Sequence, residues 1–123
     1  MEFVAKFVST LLNSRDQAHI FHLQTPSYAA HKALNEYYDA VVDLLDGFVE
    51  SYQGKYGILK GYKPVPTWVE TEELEEVVKY FVALGEYVDR SREKLPQDGF
   101  IMNQVDELSQ LINSTLYKLT HLS

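Results

Sequence analysis

A chain of 123 residues with 46% hydrophobic and 24% charged residues is long enough to bury a core of its own, and with no cysteine it is excluded from disulfide scaffolds, thiolate metal sites and thiol redox switching. Its formal net charge of -7, without a basic tail or stripe, opposes a polyanionic partner, so nucleic-acid binding is not expected. No apolar run approaches the eighteen or so residues of a membrane span, so one soluble, cytoplasmic domain covering residues 1–123 is the expectation.

Four segments carry apolar residues at helical spacing. The first spans about residues 2–23, with Val4, Val8, Leu11, Leu12, Arg15 and His19 recurring at three and four, and "QTPS" with Pro26 ends it. It reads as a first helix rather than a secretory signal, since it has one lysine before its apolar block and no small-residue cleavage site. The second, about residues 27–52, is the longest and most regular, carrying Ala30, Leu34, Tyr38, Val41, Val42, Leu45, Phe48 and Val49.

The stretch "GKYGILKGYKPVPTWVE" is broken by Gly54, Gly57, Gly61, Pro64 and Pro66, so it reads as a long connection, with Trp68 expected to close over one end of the bundle. A third helix is expected over about residues 71–95 with Thr71 as its N-cap and Pro96 as its stop. A fourth follows over about 99–120 with Asp98 as its cap, carrying Ile101, Val105, Leu108, Ile112, Leu116 and Leu119. Two helices joined by a short turn, a long link, then two more joined by a short turn predict an all-α, ferritin-like four-helix bundle with a long crossover between the second and third helices.

Polar residues that bear chemistry gather on the first two helices. At about 100° per residue, His31, Asn35, Asp46 and Glu50 share one sector of the second helix, on the edge of its apolar face. On the first, His19 lies close to the stripe of Val8, Leu12 and Arg15, with His22 offset by about 60°. Imidazole and carboxylate without thiolate suit iron, manganese or zinc, and satisfied polar groups at a helix edge are the competing reading. No Glu-x-x-His pair, phosphate-binding Gly-rich loop, nucleophile elbow or H-E-x-x-H motif occurs. Tyr37, Tyr38, Tyr52 and Tyr56 flank the second helix and are expected mainly to pack.

The order His19, twelve residues to His31, fifteen to Asp46 and four to Glu50, with "SY" shortly before "AAH", resembles the ligand spacing of the starvation-induced mini-ferritins, the Dps family. Asn35 stands where that family has an acid one turn after the second histidine, and Ile20 where it has a tryptophan. The resemblance implies a homodimer or larger assembly. Its iron site would take His19 and His31 from one subunit and Asp46 and Glu50 from a two-fold related one, with Asn35, Glu36 and His22 as outer candidates. It also implies ferroxidase-like oxidation of Fe(II). The blocks "SRDQAHIFH", "HKALNEYYD" and "ESYQGKYG" are similar to those of small uncharacterised proteins of tailed bacteriophages, which would place the chain in an infected bacterial cytoplasm. The alternative from that likeness is a non-catalytic accessory protein whose partner is a host protein or a small signalling molecule.

Overall fold

In the computed structural model, which describes residues 1–123, the chain forms four helices and no strand. These are α1 (Glu2–Gln24), α2 (Tyr28–Tyr56), α3 (Leu74–Ser91) and α4 (Gly99–His121), with one 3-10 turn, Arg92–Lys94, after α3.

Local chemistry sets each boundary. Proline at position 26 has no backbone donor and biases Thr25 toward extended backbone, so α1 closes with the Thr25 N–H on the Phe21 carbonyl. The Ser27 hydroxyl then accepts from the Ala30 N–H at 3.1 Å and caps α2. The second helix runs four residues beyond the expected Tyr52. Gly54 is tolerated inside it, and the turn is closed instead by Gly57, whose positive φ of 92° suits a residue without Cβ. Thr71 is not the N-cap of α3; its hydroxyl accepts from the Glu73 N–H in a turn ahead of the helix, which begins three residues later than expected. Asp98 does sit at the N-cap of α4, but its carboxylate caps nothing, because Lys55 and the Tyr56 hydroxyl at the end of α2 occupy it.

Ring contacts and hydrogen bonds fix the helix directions. Phe7 on α1 lies 5.5 Å from Phe48 and 6.2 Å from Tyr87, while Phe21 at the other end meets Tyr80 at 5.5 Å. With the Ser14–Tyr37 bond between these levels, α1 runs antiparallel to both α2 and α3, so α2 and α3 share a direction. The Gln104 amide donates to the Gly47 carbonyl at 3.1 Å and Lys118 pairs with Glu36 at 2.6 Å, which makes α4 antiparallel to α2. Phe7, Phe21, Leu34, Tyr37, Phe48, Phe81, Ile101, Val105 and Leu119 are fully enclosed between the helices. Each buried aliphatic or aromatic side chain of this kind contributes about 1.5–3 kcal/mol.

The connection between α2 and α3 travels the length of α1 with no regular structure of its own, and α1 side chains satisfy its backbone. The Ser9 hydroxyl accepts from the Lys63 N–H at 3.1 Å, and the Gln24 amide oxygen accepts from the Thr71 N–H at 2.9 Å. Between them the Gln17 amide donates to the Val69 carbonyl and accepts from the Val69 N–H, both at 2.8 Å. Trp68 therefore does not close a bundle end. It lies on the flank, half-exposed, in a groove with Leu12 and Asp16, because the segment carrying it is tied along α1.

Gln17→Leu removes both bonds to Val69 and is expected to lower stability by about 1–3 kcal/mol in urea unfolding. It should also speed proteolytic cleavage within residues 60–70; unchanged cleavage would show that the bracket does not hold the connection.

Lys55 and then Tyr56 hold the Asp98 carboxyl below its ordinary value, and Lys118 does the same for Glu36. A lowered carboxyl stabilises the fold fully above the ordinary carboxylate range and loses that contribution as pH falls through the lowered value. Asp98→Asn should accordingly flatten the acid limb of stability against pH, read as the urea midpoint across acidic pH.

Candidate functional site

The turn Thr25–Ser27 folds α2 back on α1 and brings three of the four histidines together. His22 and His31 bind each other reciprocally. The His22 Nδ1 donates to the His31 carbonyl at 2.7 Å, and the His31 Nδ1 donates to the His22 carbonyl at 2.9 Å. Because both acceptors are carbonyl oxygens, both Nδ1 atoms carry protons, which leaves each neutral ring its lone pair on Nε2. The rings stack with centroids 3.6 Å apart and planes 18° apart. His19, one turn before His22, meets it edge-on at 5.7 Å and lies flat on Tyr38 at 4.3 Å and 15°. Tyr28 continues the aromatic column beyond His31 at 6.2 Å.

Burial reverses the order expected of these histidines. His22, expected as an outer residue, is buried; His31 is half-buried and His19 exposed. Angular position along α1 places His22 off the main apolar stripe, but the returning α2 covers that sector and supplies its partner. Tyr38, absent from the expected site, is the ring against His19. Its spacing of seven from His31, two turns along one helix face, is the signal that could have found it.

Of the remaining candidates, Asn35 and Glu36 border the same surface pocket as His31 and Tyr28, while Asp46 and Glu50 lie apart from the cluster within one chain. The Asn35 amide donates to the Asp39 carboxylate at 2.8 Å, a pairing one turn along α2. Glu36 is exposed and engaged by Lys118, the first cause of its lowered pKa. Asp46 and Glu50 are exposed rather than at the edge of the core, and lie about 22 and 28 Å along α2 from His31 at 1.5 Å per residue. No three histidine or acidic side chains of one chain are grouped to hold a metal ion.

Coordination geometry limits what the histidine pair does alone. A metal binds an imidazole in the ring plane at about 2 Å from nitrogen. Two nearly parallel planes 3.6 Å apart do not meet at such a distance, so His22 and His31 do not chelate one ion as stacked. His22 instead fixes the tautomer and ring angle of His31, the service a backbone carbonyl or carboxylate usually performs for a ligating histidine. No helix of the structure is long and apolar enough to cross a membrane.

A family described as "Family of unknown function (DUF5856)" matches residues 22–119, and the chain belongs to it. No curated protein and no solved structure matches the chain.

His22→Phe keeps an aromatic ring in the stack but loses the Nδ1 bond, and is expected to cost about 1 kcal/mol. His22→Ala also opens the buried site and should cost about 2–4 kcal/mol. His19→Ala, at an exposed position, should stay below about 1 kcal/mol. Thermal unfolding of the three variants measures the order; equal losses at positions 19 and 22 would contradict it.

Proposed function

We propose that this member of the DUF5856 family binds a transition-metal ion at a site completed between two copies of the chain, with iron the first choice and manganese or zinc the alternatives. His19 and His31 of one copy and Asp46 and Glu50 of the other are the ligands, with Asn35, Glu36 and His22 around them. One observation carries the reading. The Nδ1 of His31 is committed to the His22 carbonyl, so its ring is held in the tautomer that offers Nε2 to a metal. The donor set, nitrogen with carboxylate oxygen and no sulfur, fits these ions.

The separation along α2 explains why two copies are required. His31 and Asp46 are fifteen residues apart on one continuous helix, so they meet only if a second α2 lies antiparallel across the first, with the two-fold axis near Asp39. Asp39 would then lie near its counterpart at the axis, and Glu36, Asp43, Asp46 and Glu50, also exposed, make the same face acidic on both copies. A bound cation offsets the repulsion between such faces. The course of the connection along α1, with α2 and α3 parallel, supports a ferritin-like bundle with a long crossover.

Within that site the metal would supply an open-coordinated cation suited to oxygen or peroxide chemistry, and the protein's part is to orient it. His22 orients His31, and Tyr38 orients His19. Asn35 is a neutral amide already bonded to Asp39, so it brings no charge to the ion. Fe(II) oxidation is the activity to be assayed.

Anaerobic Fe(II) or Zn(II) titration with mass measured by light scattering tests this. The wild-type chain should bind saturably as a dimer or larger assembly, and His31→Ala and Asp46→Ala should each lose the binding. An equal mixture of the two variants should recover roughly a quarter of the wild-type stoichiometry, since half of the reassorted dimers regain one intact site of two. Binding that survives in both single variants would overturn the reading.

A further inference from the structure

A groove of about 630 Å³ lies far from the histidines, at the other end of α1, between the first turns of that helix and the connection where Gly61 brings it against Ala5. Its α1 wall is Phe3, Lys6 and Thr10, and its opposite wall is Lys63, Val65 and Pro66. The volume is that of a small-molecule site.

Charge decides what the groove suits. Lys6 and Lys63 make no ion pair, although the chain carries 18 acidic residues against 11 basic ones. Lys94 is likewise unpaired, and its Nζ lies 5.4 Å from the centroid of the Phe3 ring. Two unpaired lysines, Lys6 and Lys63, thus line the groove, with Lys94 beside its Phe3 wall and Glu2 the only acid on the lining. Elsewhere Lys55, Lys79, Arg92 and Lys118 are matched by carboxylates, and Lys32, Lys60 and Arg90 are unpaired but lie off this lining. Leaving cations unmatched beside an aromatic ring and two prolines creates a surface complementary to an anion with an apolar body.

We infer that this groove binds a small amphipathic anion, whose carboxylate, sulfonate or phosphate head meets Lys6 and Lys63 and whose aryl or alkyl body lies on Phe3, Val65 and Pro66. The site owes nothing to the metal reading. Thr10 is held in its wall by donating to the Lys6 carbonyl at 2.9 Å, and the Ser9–Lys63 bond anchors the opposite wall, so the groove is formed before a ligand arrives.

The probe is 1-anilinonaphthalene-8-sulfonate, with N-phenyl-1-naphthylamine as its uncharged counterpart. Trp68, the only tryptophan, lies in the adjoining groove that shares Lys63, Pro64 and Val65, so energy transfer from it to the bound probe reports proximity. The sulfonate should bind saturably at one site per chain. Binding should weaken at least roughly tenfold in Lys6→Glu/Lys63→Glu and for the uncharged probe, and persist in Lys6→Arg/Lys63→Arg. Circular dichroism identifies a variant that fails to fold, in which case the arginine variant and the uncharged probe still decide. Non-saturable binding, equal affinity for both probes, or full binding in the folded glutamate variant would overturn the proposal.

Discussion

The two hydrogen bonds between the Gln17 amide and Val69 carry the constraint on which the topology depends. A connection that must traverse a whole bundle without forming a helix exposes backbone donors and acceptors that need partners. Here α1 provides them at three levels, through Ser9, Gln17 and Gln24, and the Gln53 amide starts the path by accepting from the Leu59 N–H at 2.9 Å. Held to that course, the chain returns to the level where α2 began, and α3 has to run parallel to α2. A hairpin-length link would instead have made them antiparallel.

This accounts for an otherwise odd property of α1. Four of the six buried polar residues of the chain, Ser9, Ser14, Gln17 and His22, lie on this one helix. Each has a partner on another segment. Ser9 and Gln17 hold the connection, His22 holds His31, and Ser14, which donates to the Leu11 carbonyl at 2.6 Å, accepts from the Tyr37 hydroxyl at 2.7 Å. Burial pushes the Tyr37 hydroxyl well above its ordinary pKa, so it remains a proton donor to Ser14. Satisfied polar groups of this kind select one arrangement of neighbours among the many that apolar contacts alone would allow. The first helix thus specifies the register of the bundle, while the apolar stripes of the others supply its cohesion.

How much of this is legible in sequence follows from the range of each interaction. Helical spacing of Leu34, Val41, Leu45 and Phe48, or of Ile101, Val105, Leu108 and Ile112, is local information, and all four helices are readable from it. Boundaries fail where a tertiary partner overrides a local sign: Gly54 reads as a breaker, yet Lys55 and Tyr56 extend the helix to meet Asp98. Thr71 reads as a cap, yet its N–H is claimed by Gln24. Gln17 carries no signal at all, since its partner is 52 residues away. The histidines are an intermediate case. Their crowding is visible in "AHIFHLQTPSYAAH", but which of them is buried depends on how a three-residue turn folds one helix over the other.

The electrostatics of α2 limit what its outer face can meet. Lys118 engages Glu36 and the Asn35 amide engages Asp39, whereas Asp43, Asp46 and Glu50 have no cationic partner within the chain. An apolar interface would have to desolvate these carboxylates without compensation, which is costly. A second copy brings the same charges and by itself makes the problem worse. In the proposed assembly a cation shared between copies would remove it, and the imidazole of His31 at the far end of the same face would give that cation a neutral donor that adds no further negative charge. The distance between His31 and Asp46 keeps them from meeting within one chain, so the proposed site would be a property of the assembly: its ligands would come together only where two acidic faces, which otherwise repel, had an ion to hold in common.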